Sequence, residues 1–196
     1  FEIKRGSTVG IIGGTGSGKS TLINLIPRFY DVTQGSVEVD GRNVKDYSFK
    51  QLRKQIGVVP QQSILFKGTI RDNMKWENPD LSDEDIITAL KNAQAYEFVS
   101  KLPMGLDSHV EQGGKNFSGG QRQRLCIARA IAAQPKVLIL DDSFSALDFA
   151  TDAALRKALS QYTHEMTVII VTQRCSTIMN SDLILVLDDG MLVGKG

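Results

Sequence analysis

One octapeptide near the amino terminus constrains the fold of this 196-residue chain more than any other feature. Residues 13–20 read Gly-Gly-Thr-Gly-Ser-Gly-Lys-Ser and fit the pattern G-x-x-x-x-G-K-[ST]. A buried, β-branched run at residues 8–12 precedes it, and a helical pattern from Lys19 to about Arg28 follows it. A glycine-rich loop between a strand and a helix is the context in which this pattern cradles the phosphates of a nucleotide.

The residue types in this loop suit a magnesium-bound triphosphate. Glycines let backbone N–H groups curl around an anion, and the following helix N-terminus adds partial positive charge. The Lys19 ammonium would lie at the β- and γ-phosphates, the Ser20 hydroxyl would ligate Mg²⁺, and Thr21 would bond the α-phosphate. We therefore expect a nucleotide site formed by Gly13, Gly14, Thr15, Gly16, Ser17, Gly18, Lys19, Ser20 and Thr21.

Apolar runs alternate with helical patterns along the rest of the chain. Residues 137–140, 167–171 and 183–187 are continuous apolar runs, typical of parallel strands that are covered on both faces. Residues 56–60 form another buried run, and residues 36–41 predict a half-exposed strand that ends in an Asp-Gly turn. This alternation predicts an α/β fold with a mostly parallel sheet.

Helical patterns predict the domain organisation. Ser82 before three acidic residues and Ser118 before Gln121 are typical helix starts, and residues 152–162 carry apolar residues on one helical face. The stretch 66–114 has helical patterns and no strong strand. We therefore predict a core of residues 1–65 and 115–196, interrupted by a helical subdomain of residues 66–114.

Composition excludes several classes of function. The chain has 23 Lys and Arg against 22 Asp and Glu, so it lacks the basic excess of a bulk nucleic-acid binder. Cys126 and Cys175 lie far apart, which argues against a disulfide framework or a zinc site. His109 and His164 have no ligand-spaced neighbours and are expected to be ordinary surface or loop residues. No apolar run approaches the ~20 residues that a membrane span needs.

Asp141 is the candidate partner of the phosphate loop. It follows the apolar run 137–140 and should emerge at the carboxyl end of that strand, beside the loop. An acidic residue there can hold Mg²⁺ through water. A carboxylate in this position could instead cap a helix, but the presence of the loop favours the metal role.

Five motifs in order resemble those of ATP-binding cassette (ABC) ATPases. Residues 116–124, Asn-Phe-Ser-Gly-Gly-Gln-Arg-Gln-Arg, are similar to the family signature, and residues 145–148 are similar to its D-loop. Residues 59–62, Val-Pro-Gln-Gln, resemble the Q-loop. Residues 65–73 are similar to the nucleotide-binding domains of ABC exporters. The resemblance covers nearly the whole chain, and the ordered series is far more specific than any one motif.

The resemblance implies a P-loop NTPase fold with an ABC-type inserted helical subdomain and a short antiparallel β element. It also implies ATP and Mg²⁺ as ligands, and a second nucleotide-binding domain as partner, so that two domains enclose two nucleotides. Gln61 would contact Mg²⁺ and the attacking water. The signature residues Ser118, Gly119, Gly120 and Gln121 would contact ATP held by the partner.

The resemblance further implies attached transmembrane domains and a place at the cytoplasmic face of the cell membrane, as part of an exporter. Residues 110–114 precede the signature, where exporters have a loop that contacts the intracellular helices of the transmembrane domain. In the family an aromatic residue that stacks on adenine lies further upstream than Phe1. We therefore expect the chain to be part of a longer polypeptide.

Two positions depart from the family pattern. Asp142 stands where the family has its catalytic glutamate, so the carboxylate is withdrawn by about 1.5 Å, and a misplacement of ~1 Å can cost ~100-fold in rate. Gln173 stands where the family has a switch histidine. A glutamine side chain can form hydrogen bonds, but it cannot become positively charged or exchange a proton. In the alternative interpretation, Asp142 still works as the catalytic carboxylate and Gln173 has only an orienting role. Because both changes weaken one step, we expect slow hydrolysis here and a heterodimer with a competent partner.

Two other functions fit the same motifs. One is a regulatory module that binds ATP to dimerise and hydrolyses a negligible amount of it. The other is a soluble ABC protein that acts on DNA or ribosomes. Residues 66–73 and 110–114 favour the exporter over both.

Overall fold

A computed structural model gives the fold and describes residues 1–162 and 166–196. His164 lies outside the described residues. The strands are β1 (Thr8–Ile12), β2 (Glu38–Val39), β3 (Arg42–Asn43), β4 (Ile56–Val59), β5 (Gly68–Thr69), β6 (His109–Val110), β7 (Val137–Asp141), β8 (Thr167–Thr172), β9 (Leu183–Asp188) and β10 (Met191–Lys195). The α-helices are α1 (Lys19–Asn24), α2 (Phe49–Arg53), α3 (Ile70–Met74), α4 (Asp83–Asn92), α5 (Tyr96–Ser100), α6 (Gly119–Ala132), α7 (Phe149–Tyr162) and α8 (Cys175–Ile178).

The central sheet has six strands in the order β10-β9-β1-β8-β7-β4. Its five strands from β9 to β4 run parallel, and β10 pairs antiparallel with β9 at one edge. The prediction of an α/β fold with a mostly parallel sheet is confirmed. Because parallel strands all end at the same edge, the loops after β1, β4, β7 and β8 meet there.

Both faces of the sheet are covered, which explains the continuous apolar runs. Along β7, Leu138 and Leu140 belong to one buried cluster, and Ile139 between them belongs to the other. The first cluster takes in residues of α4 and α6, and the second takes in Ile23 of α1 and Leu52 of α2. Strands β7 and β8 therefore contribute alternate side chains to two separate cores.

Helix α1 is shorter than the sequence predicts. It ends at Asn24, whereas the helical pattern runs to about Arg28. The amides of Leu25 and Ile26 bond to carbonyls three residues back, which tightens the chain into single turns. Pro27 disfavours helical geometry at the residue before it, and Arg28 then adopts a positive φ of 54°.

The half-exposed strand predicted at residues 36–41 is a two-stranded hairpin of β2 and β3. Asp40 and Gly41 form its turn with φ values of 52° and 71°, both in the left-handed region. The Asp-Gly pair is the sequence feature that fits such a turn. The paired part of the strand is restricted to Glu38–Val39.

Helices α3, α4 and α5 lie within residues 66–114, as their patterns predict. Ser82 caps α4 by accepting a bond from the Asp85 amide, while the Asp85 side chain accepts one from the Ser82 amide. The two ends of this segment are joined because β5 pairs antiparallel with β6. This closure supports our proposal that residues 66–114 are an inserted subdomain.

Helix α7 begins at Phe149, three residues before the predicted start at Asp152. The Asp148 carboxylate accepts hydrogen bonds from the backbone amide and the hydroxyl of Thr151, at 2.9 and 2.7 Å. These bonds lower the pKa of Asp148 below its usual range. Asp148 therefore caps the helix, which an Asp followed three residues later by Thr could have indicated.

Candidate functional site

The loop between β1 and α1, residues 13–18, opens at the carboxyl edge of the sheet. Gly16 and Gly18 have φ values of 80° and 88°, a region in which other residues are strained. A Cβ on Gly14 or Gly16 would meet no atom within 4 Å, so the outer side of the loop borders open space. Ser20 and Thr21 in the first turn of α1 are also exposed.

The Lys19 ammonium lies inside the curve of the loop. Its Nζ donates hydrogen bonds to the carbonyl oxygens of Gly13 and Gly14, at 2.8 and 2.6 Å, and to Ser17 Oγ at 3.2 Å. The residue is 9% exposed, so its charge is held by the loop and largely shielded from water. The sequence prediction that Lys19 belongs to the phosphate loop thus has a geometric basis.

The turn between β9 and β10 supports the loop from behind. The Gly190 amide donates to the Ser17 carbonyl at 3.2 Å. A Cβ on Gly13 would lie 2.2 Å from the Leu187 carbonyl oxygen, so only glycine allows this approach. The sequence does not predict this contact, because residues 187–190 are more than 160 positions away from the loop.

Ser20 and Asp141, the two predicted magnesium ligands of the loop and the strand end, are brought together. Burial raises the pKa of the Asp141 carboxyl above its usual range, and the nearby Asp142 carboxylate raises it further. A hydrogen bond with Ser20 and the charge of Lys19 act in the opposite direction. Two carboxyl groups, a hydroxyl and an ammonium therefore share one small region.

Asp142 follows Asp141 with a positive φ of 45°. Its amide donates to the Val171 carbonyl at 2.9 Å, which ties it to β8. Its own carbonyl accepts from Ser145 Oγ at 2.8 Å. Aspartate is one of the non-glycine residues that are enriched in the left-handed region.

Gln173 lies next to the phosphate loop. The register pairs Ile12 of β1 with Thr172 of β8, so the residues that follow each strand are neighbours. The Gln173 side chain is exposed, and its Nε2 donates to Thr15 Oγ1 at 3.5 Å. A residue predicted to face the terminal phosphate therefore faces the loop that would hold it.

Gln61 reaches the same edge of the sheet from β4. The register pairs Val59 with Leu140, so Gln61 and Asp142 each lie two residues beyond a paired position. The Gln61 side chain is exposed, and among the described residues no hydrogen bond joins it to Asp141 or Ser20. The structure brings Gln61 to the site and leaves its side chain free of those two partners.

The signature residues form the start of α6, away from the phosphate loop. Ser118 Oγ accepts from the Gln121 amide at 3.2 Å, and Gln121 Oε1 accepts from the Ser118 amide at 2.9 Å. This capping box confirms the predicted helix start. A Cβ on Gly120 would lie 3.3 Å from the Ala146 carbonyl oxygen, so the loop after β7 packs against the signature. Ser118 and Gly119 are exposed.

Ser143 is a site residue that the sequence analysis did not single out. It is fully buried, and its Oγ donates to the carbonyl oxygens of Val59 and Asp141, at 3.1 and 3.3 Å. It therefore joins the ends of β4 and β7, which carry Gln61 and the two aspartates. The only feature of the sequence that could have indicated this role is that Ser143 directly follows the two aspartates.

The geometry fits MgATP. The open side of the loop and the exposed first turn of α1 suit phosphate oxygens, and the Ser20 hydroxyl with the Asp141 carboxylate are the oxygen ligands that Mg²⁺ prefers. In the described part of the chain, His, Cys, Asp and Glu side chains form no group of three or more that could hold a metal. Phosphate and water oxygens would therefore complete the magnesium shell, as is usual for this ion.

Comparison with known proteins agrees with this geometry. A family model described as "ABC transporter" matches residues 1–145. Over its full 196 residues the chain is 45% identical to a Staphylococcus aureus protein that is named as a multidrug export ATP-binding/permease protein. The match covers 34% of that protein. They are also 45% identical to Heavy metal tolerance factor 1 of Caenorhabditis elegans and cover 24% of it.

A solved structure is similar over the whole chain. It is a bacterial Atm1-family ABC exporter with ATP bound, with a TM-score of 0.96 and 38% sequence identity. The match covers 100% of this chain and 34% of that one. The chain thus spans about a third or less of the length of these relatives.

Proposed function

The chain belongs to the ABC transporter family as an ATP-binding ATPase domain, and from this premise we propose that it dimerises around MgATP to power export by attached transmembrane domains. The observation that carries the proposal is the cluster of the phosphate loop, Asp141, Asp142 and Gln173 at one edge of the sheet. The ATP-bound exporter with the same fold supports it.

The chain's own residues bind and orient the nucleotide. Backbone amides of the loop would bind the phosphate oxygens, and Lys19 would exchange its bonds to the Gly13 and Gly14 carbonyls for bonds to the β- and γ-phosphates. Ser20 and Asp141 would hold the magnesium ion. When bound, Mg²⁺ neutralises charge that develops on the phosphates during transfer. Binding at this loop therefore needs only side chains that the structure already brings together.

Asp142, Gln61 and Gln173 are the side chains that would act on the attacking water and the terminal phosphate. Asp142 would accept the water proton at a carboxylate oxygen, and Gln61 would orient the same water from the end of β4. Gln173 would donate a hydrogen bond to the terminal phosphate in place of a cation. Because the Asp142 arm is short and Gln173 is uncharged, we propose that this site hydrolyses ATP slowly.

The exposed signature serves a second nucleotide-binding domain. Ser118, Gly119 and Gly120 present a hydroxyl, amides and a helix N-terminus to solvent, a combination suited to a phosphate held by a partner. Two copies of this chain would form two slow sites. We therefore propose a heterodimer in which this signature completes a competent site of the partner.

An exposed apolar surface near Gln61 supports docking of transmembrane domains. The Phe66 and Trp76 rings stack at 4.1 Å, and the side chains of Ile64 and Trp76 are 46% and 61% exposed. The neighbouring loop of residues 110–114 is anchored by a bond from the Gly113 amide to the Leu65 carbonyl, at 3.1 Å. No helix within residues 1–162 or 166–196 is long and apolar enough to cross a bilayer. We place the domain at the cytoplasmic face of the cell membrane, against membrane helices of the whole protein.

Steady-state ATPase measurements on the full-length protein with its partner test this proposal. A site slowed by about 100-fold supplies only about 1% of total turnover, so Asp142→Asn should leave the measured rate nearly unchanged. Asp142→Glu should raise the rate, because the longer arm reaches the water. Lys19→Ala, which removes the phosphate-binding ammonium, is the control for loss of nucleotide binding at this site.

Two results would contradict parts of the proposal. If Asp142→Asn alone abolishes turnover while loss of the partner's base does not, the roles of the two sites are reversed. If neither site turns over although MgATP drives dimerisation, the chain is a regulatory ATP-binding module and does not power export.

A further inference from the structure

Gln123 is a buried polar residue on the signature helix α6 that the mechanism above does not use. It lies five residues after Ser118 and is 2% exposed. Burying an amide is unfavourable unless its donors and acceptor are hydrogen-bonded. An apolar residue could fill the same space, so the amide calls for a specific reason.

The Gln123 side chain contacts the loop that follows Gln61. We call residues 61–66 the Gln61 loop. Within it, Ser63 Oγ donates a hydrogen bond to Gln123 Oε1. This bond joins the signature helix to a position two residues after Gln61, although the two partners are 60 positions apart in sequence.

Two further side chains of α6 fasten the same loop. Cys126 Sγ donates to the Ile64 carbonyl at 3.6 Å, and Arg129 Nη2 donates to the same carbonyl at 3.0 Å. Gln123, Cys126 and Arg129 are spaced three residues apart and therefore share one face of the helix. The Gln61 loop is thus held along the helix whose first turn is the signature.

Gln123 differs from the other two residues because it has an unused donor. Its buried Nε2 has no hydrogen-bond partner in the described part of the chain. A glutamine amide has two donors on nitrogen and an acceptor on oxygen. A backbone carbonyl of the Gln61 loop that came within reach would satisfy Nε2.

We propose that Gln123 is a positioning residue that couples the Gln61 loop to the signature of the same chain through its bond to Ser63. When the Gln61 loop shifts, the hydrogen bonds of Gln123 change. This change moves the first turns of α6, which carry the signature. The role of Gln61 in this inference rests on the proposed function. A buried amide that merely fills space would have no such effect on turnover.

The test uses a double-mutant cycle on the full-length protein with its partner. Gln123→Met and Ser63→Ala should each lower kcat by about 3- to 30-fold, the range for residues that couple sites without touching ligand. The KM for MgATP should stay within about two-fold, because neither side chain contacts nucleotide. The double variant should lose no more than the larger single loss, since both changes break one bond.

Two matched variants separate positioning from general destabilisation. Ser63→Thr keeps the hydroxyl and should restore kcat, whereas Ser63→Ala should not. Gln55→Met makes the same substitution at a half-buried glutamine whose Nε2 donates to the Gln51 carbonyl, at 3.0 Å, and this variant should leave kcat unchanged. Losses that multiply in the double variant, an equal loss in Gln55→Met, or no rescue by Ser63→Thr would overturn the inference.

Amide hydrogen exchange, measured without nucleotide, tests whether the Gln61 loop and the signature are coupled, and it does not depend on turnover. Ser63→Ala should increase exchange of the amides of residues 121–123, and Ser63→Thr should not. Equal exchange in wild type and Ser63→Ala would overturn the coupling. If the wild-type protein hydrolyses no ATP while this difference is seen, the proposed function fails and the coupling stands.

Discussion

At the scale of single residues, the site gives up stability for function. Asp141 is a carboxyl group that burial and Asp142 hold at a raised pKa, so its charged form is unfavourable in the folded chain. Lys19 is bent onto the carbonyl oxygens of its own loop. The buried carboxyl group is unfavourable for the fold alone and suits a bound cation, whereas the Lys19 ammonium is satisfied by its own loop and would suit a phosphate.

The raised pKa of Asp141 gives a prediction with a definite sign. The folded chain binds this proton more tightly than the unfolded chain, so the contribution of Asp141 to stability falls as pH rises from its ordinary pKa through the raised one. At neutral pH, without Mg²⁺, Asp141→Asn should therefore melt at a higher temperature than wild type. At a pH below the ordinary pKa the difference should disappear.

Thermal denaturation at neutral and acidic pH measures this effect. In the same assay MgATP should stabilise wild type more than Asp141→Asn, because a ligand that binds the folded state raises its stability. A variant that melts below wild type at neutral pH would show that the carboxylate is stabilising and that its burial has been misread.

At the scale of elements, two helices begin with the same kind of cap, and only one of the two caps belongs to the signature. Ser82 of α4 and Ser118 of α6 are both exposed serines in complete capping boxes. Replacing either by alanine should lower the free energy of unfolding by about 1 kcal/mol, since each loses the same kind of bond. Only Ser118→Ala should also reduce ATPase activity with the partner, because only its hydroxyl belongs to the signature.

Ser82→Ala is thus the control for Ser118→Ala. Urea denaturation measures the stability of both variants, and steady-state turnover measures the function. Equal losses of activity in the two variants would mean that the signature serine acts by stabilising its helix and not by contacting a phosphate.

At the scale of the whole molecule, one buried cluster joins the proposed helical subdomain to the sheet. It contains Leu90 of α4, Leu125 of α6 and Leu138 of β7, all at most 1% exposed. Side chains on both sides of the proposed domain boundary therefore share a core. We expect the two parts to unfold together, even if they are separate in chain order.

Leu90→Ala tests this expectation. The loss of a fully buried leucine should lower the free energy of unfolding by about 2–5 kcal/mol. The single tryptophan, Trp76, reports on the segment 66–114, and circular dichroism reports on all helices and strands. The midpoints from the two probes should fall together; a Trp76 transition that moves alone would show that the subdomain unfolds independently.

The strongest sequence predictions were those that rest on neighbouring residues. The phosphate loop, the Asp-Gly turn of the β2–β3 hairpin and the cap at Ser118 each depend on a few consecutive positions, and each lies where it was predicted. The end of α1 was predicted too late because Pro27 outweighed the apolar spacing. Helix α7 begins three residues before its predicted start, because the Asp148 carboxylate caps it by accepting bonds from Thr151.

The sequence by itself determined the class of fold, because glycine geometry, helix capping and strand burial are decided by local stereochemistry. Only the tertiary structure decided which distant residues meet. Gln173 lies beside Thr15 across 158 positions, and Ser63 beside Gln123 across 60. Such contacts follow from the order and register of the strands, which depend on the packing of two cores at once and leave no pattern in a short stretch of sequence.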